Sequence, residues 1–213
     1  VSAPFCGSLA GKMVLAGGAN FPEIPAAEGG AKRFYKDIFT LSAAGKWHKA
    51  GELPQPLAYG ASFVAGGKLI LAGGSNEDGS VRNVYALRLK GSKSSVTELS
   101  ALPVALEQAG WASDGNELYI AGGLADGKPS RTIYKGMYDG RDVRWSVAGE
   151  LPVAMVQPVA CMIDGRLYVW GGFDPQQGDV KGCGYVFDPQ TGYCSDTAGV
   201  PQGGTFTGAS AVA

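Results

Sequence analysis

Short apolar runs of five or six residues alternate with turn residues along the whole chain. Examples are "FVAGGKLILAGG" at 63–74 and "ELYIAGG" at 117–123. Apolar runs of this length, bounded by glycines, are typical of β-strands joined by tight turns. We find no long stretch with the 3.6-residue period of an amphipathic helix. The pattern therefore predicts an all-β chain.

Two sequence markers repeat along the chain with the same period. Pairs of glycines end apolar runs at 17–18, 73–74, 122–123 and 171–172, so successive pairs are 56, 49 and 49 residues apart. Leu-Pro pairs at 53–54, 102–103 and 151–152 are spaced by 49 residues, and Val200-Pro201 follows 49 residues later. A period near 50 with a terminal Gly-Gly, a later aromatic residue and then Trp is the Kelch pattern. We therefore expect a Kelch-type β-propeller.

Each copy is predicted to form one blade of four short strands. In the second copy we expect strands near 60–65, 68–73, 83–88 and 95–98, with Gly66-Gly67 as the first hairpin turn. Four strands cannot bury both faces alone, so the blades must pack around a common axis. The predicted blades of this single domain are about 1–53, 54–102, 103–151 and 152–200, with the first strand of a fifth at 201–213. We expect part of a six-bladed propeller, incomplete at the C-terminus; a closed four-bladed ring and closure by another chain are the alternatives.

Composition narrows the classes of function. The net charge of −1 gives no electrostatic reason to expect nucleic acid or a membrane surface as partner. His48 is the only histidine, which excludes His-based triads and His-rich metal sites. The cysteines lack metal-type spacing, and free buried thiols are expected, with a Cys183–Cys194 bridge as the alternative. The four cysteines are Cys6, Cys161, Cys183 and Cys194.

The repeat also predicts a ring of side chains at one mouth of the central channel. The first two strands of a blade are antiparallel, so the start of the first and the end of the second lie on one face near the axis. The residues just before the first strand of each blade are Tyr59, Gln108, Gln157 and Phe206, each 49 apart. The residues that follow the second glycine of each pair by two positions are Asn20, Asn76, Ala125 and Asp174. Amides with aromatic rings and few charges suit a sugar-like ligand. The alternative is that these are ordinary turn residues and channel filling.

The first copy is seven residues longer than the others (56 − 49), and the extra length falls in "ANFPEIPAAEGGAKRFYKD". A long loop on the ligand face of a propeller is often functional. We expect Phe21 to contribute to binding, and Arg33 or Lys32 to meet a substrate carboxylate. A solvated surface loop is the alternative.

The segment "LAGGANFPEIPAAEGGAKRFYKDIFTL", with "KWHKAGELPQPLAYGASFVAGGKLILAGGSNEDG" after it, resembles the sialic acid mutarotases, or N-acetylneuraminate epimerases. These are six-bladed bacterial Kelch propellers. In the periplasmic mutarotase these two blades lie at the C-terminal end, whereas here they come first. The order is similar to that of the cyclically permuted mutarotase subfamily, for which "GGANFP" near the start is typical.

The resemblance implies faster exchange between the α and β anomers of N-acetylneuraminate, with a carboxylate moving the anomeric proton and a cation holding the sugar carboxylate. It implies that neither a cofactor nor a metal is needed, and it favours the bacterial periplasm. The family's catalytic glutamate follows an "NGE" motif that this sequence does not contain, so the catalytic residue stays unknown and neither Glu23 nor Glu77 is assigned. A non-catalytic Kelch module that binds a protein or carbohydrate on the same face is the alternative, and the sequence leaves open whether the chain forms a homo-oligomer.

Overall fold

A computed structural model of the chain describes residues 1–174, 179–180 and 182–199. These residues form four four-stranded antiparallel sheets and a set of smaller two- and three-stranded ones. The single helical element among them is a 3-10 turn at Ala26–Glu28. No helix in the described ranges has the length and apolar character needed to cross a membrane. The predicted all-β fold is confirmed.

Each large sheet is one blade, and its four long strands follow one another from the channel outward. Blade 1 has the order β1-β2-β5-β6, and blade 2 has the order β7-β8-β11-β12. The strands of blade 1 are β1 (Phe5–Leu9), β2 (Lys12–Ala16), β3 (Ala19–Asn20), β4 (Arg33–Phe34), β5 (Asp37–Leu41) and β6 (Trp47–Glu52). Those of blade 2 are β7 (Ala61–Ala65), β8 (Lys68–Ala72), β9 (Ser75–Asn76), β10 (Gly79–Ser80), β11 (Val84–Lys90) and β12 (Lys93–Leu99). The strands of blade 2 therefore lie where the repeat predicts them.

Blades 3 and 4 repeat the arrangement, with the orders β14-β15-β18-β19 and β20-β21-β24-β25. The strands of blade 3 are β13 (Leu106–Glu107), β14 (Gly110–Asp114), β15 (Glu117–Ala121), β16 (Leu124–Ala125), β17 (Lys128–Pro129), β18 (Thr132–Tyr138) and β19 (Val143–Glu150). Those of blade 4 are β20 (Val159–Ile163), β21 (Arg166–Trp170), β22 (Phe173–Asp174), β23 (Asp179–Val180), β24 (Gly184–Asp188) and β25 (Tyr193–Thr197). The predicted first strand of a fifth blade at 201–213 lies outside the described residues, and the count of six blades remains a prediction.

The hydrophobic core lies between blades, not within them. Side chains of β8 alternate between two neighbours: Leu69 and Leu71 pack in the cluster shared with blade 1, and Ile70 packs in the cluster shared with blade 3. A third cluster joins blades 3 and 4 around Tyr119 and Phe187. Both faces of a middle blade are therefore buried, which explains why its strands are continuous apolar runs. In blade 1, by contrast, Val14 is buried while Met13 on the opposite face of β2 is 46% exposed.

The glycine pairs connect each blade to the next. Both glycines of every pair have positive φ, between 65° and 102°. The N–H of the second glycine donates to a carbonyl at the entry of the following blade, at 2.8 Å in each case: Gly18 to Leu57, Gly74 to Leu106 and Gly123 to Met155. A Cβ on the first glycine of these three pairs would overlap the same carbonyl oxygen. Only glycine combines this backbone conformation with so close an approach.

The predictions for His48 and for the four cysteines can be compared directly with the structure. His48 lies exposed on the outermost strand β6, far from the inner edge of the sheet. All four cysteines are free, so the Cys183–Cys194 bridge does not form. Their thiols are packed to different extents, from the exposed Cys6 to the buried Cys161.

A pair of alanine substitutions tests whether the glycine contacts carry stability. Gly73→Ala should lower the free energy of unfolding by about 3 kcal/mol, because it adds the left-handed backbone penalty to an overlap with the Leu106 carbonyl. Gly67→Ala is the matched control: Gly67 has a similar φ of 70°, but nothing lies within 4 Å of an added Cβ, so about 1 kcal/mol should be lost. Urea denaturation measures both, and equal losses would contradict the role assigned to the pair.

Candidate functional site

The channel-mouth positions predicted from the repeat share an unusual backbone conformation. Tyr59, Gln108 and Gln157 have φ values of 64°, 56° and 56°, and Ala3 at the equivalent position of blade 1 has φ 46°. Each precedes the innermost strand of its blade by two residues. Adopting this left-handed backbone conformation costs a residue with a side chain roughly 1–2 kcal/mol, whereas glycine adopts it without that cost. Strain retained by large polar side chains in three successive blades points to a use for those side chains.

Backbone hydrogen bonds join these positions into an arc around the channel. The Tyr59 N–H donates to the Ala3 carbonyl at 3.1 Å, the Gln108 N–H to the Tyr59 carbonyl at 2.9 Å, and the Gln157 N–H to the Gln108 carbonyl at 2.7 Å. The left-handed conformation is what turns each N–H toward the preceding blade. Phe206, the next residue of the predicted ring, lies outside the described residues.

Tyr59, Gln108 and Gln157 also line a common cavity of about 530 Å³. The described part of its wall is otherwise mainly small or apolar, with Met13, Leu15 and Trp111 among the larger side chains. The Gln157 Nε2 group donates to Gln108 Oε1 at 2.8 Å, which links the two amides across the blade boundary. Cys6 is on the same wall; although the residue as a whole is exposed, partial desolvation of its thiol raises the pKa of that thiol.

A carboxylate that the sequence reasoning did not single out lies behind this arc. Glu107 accepts hydrogen bonds from Ser75 Oγ at 2.7 Å, from Ser80 Oγ at 2.6 Å and from Gln108 Nε2 at 3.2 Å. The repeat carries a signal for it, because the equivalent positions hold Ser2, Ala58 and Val156 and only blade 3 places a charge there.

The long loop of blade 1 brings a cation to the same mouth. It is a hairpin loop between β3 and β4, and Lys32, which directly precedes β4, places its ammonium over three aromatic rings. Nζ is 4.7 Å from the centroid of the Tyr59 ring, 5.7 Å from that of Phe21 and 6.0 Å from that of Phe34. Phe34 also meets Tyr59 edge to face, with centroids 6.4 Å apart. The loop and the channel arc therefore meet at Tyr59.

Arg33 is placed differently from its neighbour. Its guanidinium forms an exposed ion pair with Glu23 at 3.5 Å, within the loop itself. Lys32 has no carboxylate partner among the described residues, so of the two cations predicted for this role it is the one whose charge is not already paired.

The two predicted asparagines are used within the protein. Asn20 Oδ1 accepts from the Tyr35 hydroxyl at 2.8 Å, which braces the loop of blade 1. Asn76 donates to Gln55 Oε1 at 3.2 Å and accepts from the Asp78 N–H at 2.9 Å, closing the turn between β9 and β10. Ala125 has no polar side chain, and Asp174 is buried. These local bonds give Asn20 and Asn76 a structural role, while their contact with a ligand stays a prediction.

The fold is that of a Kelch-type β-propeller, and aromatic rings, amides and a lysine lie together at the described channel mouth. The solved structure of YjhT matches with a TM-score of 0.74 over 93% of this chain and 70% of YjhT, at 15% sequence identity. At that identity the match shows the fold alone.

The sequence comparisons match the first two blades to one family. Residues 1–96 match the family model "NANM: N-acetylneuraminate epimerase", which confirms the resemblance drawn from the first two blades. A relative from Brucella suis named N-acetylneuraminate epimerase is 35% identical over 106 residues, covering 45% of this chain and 27% of the relative. One of the same name from Yersinia enterocolitica is 38% identical over 84 residues, covering 35% of this chain and 21% of the relative. The chain thus spans about a quarter of the length of the curated relatives it matches.

Substitutions at Gln108 test whether the backbone conformation of the arc is as described. Gln108→Val should lower the free energy of unfolding by about 2 kcal/mol, since a β-branched residue fits the left-handed region badly. Gln108→Asn keeps an amide and suits that region, so its stability should stay within about 1 kcal/mol of the wild type. Thermal and urea unfolding measure both variants. If Val proved as well tolerated as Asn, the arc would not have this conformation.

Proposed function

We propose that this protein accelerates exchange between the α and β anomers of N-acetylneuraminate, and that the described channel mouth binds the sugar. The observation that carries the proposal is that the family match at residues 1–96 includes Phe21, Lys32, Phe34 and Tyr59, the aromatic and lysine cluster at the mouth. A sugar acid needs a cation for its carboxylate, flat apolar surface for its ring and amides for its polar substituents. The cluster and the neighbouring glutamines supply these three features.

Lys32 is the group proposed to hold the carboxylate of the sugar. Its ammonium lies near the faces of three rings, an attraction that favours a position at the mouth and leaves the charge of this exposed lysine unpaired. Arg33, the other cation predicted for this role, forms an ion pair with Glu23. Tyr59 then forms the floor shared by the ammonium and the cavity.

Gln108 and Gln157 are proposed to bind the N-acetyl and hydroxyl groups. Both amides lie on the cavity wall and are held by their strained backbones. Amide side chains offer donors and acceptors together, which matches a ligand with both kinds of group. A site of this kind reads the substituents of a sugar while its apolar wall contacts the ring.

The chemistry itself is opening and closing of the sugar ring. A base removes the proton of the anomeric hydroxyl, an acid protonates the ring oxygen as its bond to the anomeric carbon breaks, and closure onto the other face reverses both transfers. Among the described residues that line the cavity none is a carboxylate. We therefore assign binding roles to these residues and no acid or base.

The activity is tested by proton NMR on N-acetylneuraminate enriched in the α anomer. Catalytic amounts of the purified protein should shorten the time in which the α signal decays to its equilibrium value, relative to a buffer control and to heat-denatured protein. An unchanged decay would overturn the mutarotase proposal for this chain. The binding part is measured separately, by titration of the equilibrated sugar, so a non-catalytic binding propeller would be recognised as such.

The assignment of the cation is tested by two adjacent variants. Lys32→Met should weaken binding of N-acetylneuraminate by about 10- to 100-fold, the effect of losing one charge-assisted hydrogen bond. Arg33→Met is the matched control and should change the dissociation constant less than about threefold, because an exposed ion pair contributes little. Isothermal titration calorimetry provides the constants. The opposite ranking of the two variants would show that Arg33 holds the carboxylate.

A further inference from the structure

We propose that Glu107 is a positioning residue, which fixes the orientation of the Gln108 and Gln157 amides at the channel mouth. The proposal rests on the sugar-binding function proposed above. It concerns how the binding groups are ordered, and it adds a residue to which the family resemblance gives no role.

The hydrogen bonds form one directed series. Gln157 Nε2 donates to Gln108 Oε1 at 2.8 Å, and Gln108 Nε2 donates to Glu107 Oε2 at 3.2 Å. The series ends at Glu107, whose two carboxylate oxygens also accept from the hydroxyls of Ser75 and Ser80. These serines are cross-strand partners in the β9–β10 hairpin of blade 2, so the carboxylate is clamped from the neighbouring blade.

The direction of the series follows from the chemistry of its last member. A glutamine amide has a donor end and an acceptor end of nearly equal shape, and either end can face a neutral partner. An ionised carboxylate only accepts, so Gln108 must turn its NH₂ group toward Glu107 and its oxygen toward the next blade. Gln157 must then present its own NH₂ group to that oxygen. The Glu107 carboxylate therefore determines the orientation of both the Gln108 and the Gln157 amide.

The fold does not require a carboxylate at this position. Ala58 and Val156 are at the equivalent positions of blades 2 and 4, and they make the equivalent backbone pairings, with Ser75 and Phe173. Glu107 makes the same kind of pairing with Leu124 through its backbone alone. The side chain is therefore an addition to a junction that forms without it.

Glu107 is not placed to act as the base of the reaction. It is absent from the described lining of the cavity, and its oxygens are turned to three donors of the protein. Its influence on a ligand passes through Gln108, which does line the cavity.

The experiment combines side-chain NMR with kinetics on Glu107→Gln. The control is Glu98→Gln, which neutralises an exposed carboxylate that likewise accepts from an amide, Asn83 Nδ2 at 2.9 Å, on the outer strand β12. The side-chain NH₂ resonances of Gln108 and Gln157 are assigned by their loss in Gln108→Met and Gln157→Met. In Glu107→Gln both pairs of resonances should shift, the KM for the sugar should rise about tenfold, and kcat should stay unchanged. Glu98→Gln should change none of these.

A second variant keeps the proposal testable if Glu107→Gln fails to fold. Glu107→Ala copies the residue that blade 2 has at this position, and it should give the same spectral and kinetic changes. Adding either substitution to Gln108→Met should raise KM no further, because Glu107 acts only through Gln108. Unchanged Gln157 resonances in a folded Glu107 variant would overturn the proposal. If the wild type proves inactive, the function proposed above fails, while the resonances still decide the role of Glu107.

Discussion

The hydrogen bond from the second glycine of each pair to the entry carbonyl of the next blade is the contact on which the rest of the structure depends. It is made at 2.8 Å at three successive junctions, and the first glycine has to lack a side chain for the two backbones to approach. At each junction the end of a blade's second strand therefore lies beside the segment that leads into the innermost strand of the next blade. The interblade cores then form because alternate side chains of one strand meet the blades on either side.

The same junctions create the proposed ligand face. Tyr59, Gln108 and Gln157 directly follow the carbonyl-bearing segments, and their left-handed backbones turn each N–H toward the previous blade. A scaffold that fixes the backbone this firmly can hold large side chains in a conformation that would otherwise favour glycine. The inserted loop of blade 1 then adds a charge, because Lys32 reaches the Tyr59 ring. The strained backbone positions, the two glutamine amides and the Lys32 ammonium therefore lie at the same end of the channel.

The repeat predicted the fold and the arc of Tyr59, Gln108 and Gln157, but not the side-chain contacts around that arc. Period and register are local properties of the sequence, so the glycine pairs, the second-blade strands and the common position of Tyr59, Gln108 and Gln157 could be found by counting. The choice between Lys32 and Arg33 depends on the conformation of the 12-residue loop between Asn20 and Arg33, which no periodicity specifies. Glu107 was missed because its partners Ser75 and Ser80 come from another blade, and only the packing of the two blades makes them neighbours.

The central claim is that N-acetylneuraminate binds where the blade 1 loop meets the channel arc. A crystal structure of the protein with the sugar bound tests this most directly. The account predicts that the sugar carboxylate lies about 3 Å from Lys32 Nζ, with polar groups of the sugar on the amides of Gln108 and Gln157. A sugar bound elsewhere, or one held by Arg33 with Lys32 still over the Tyr59 ring, would contradict it.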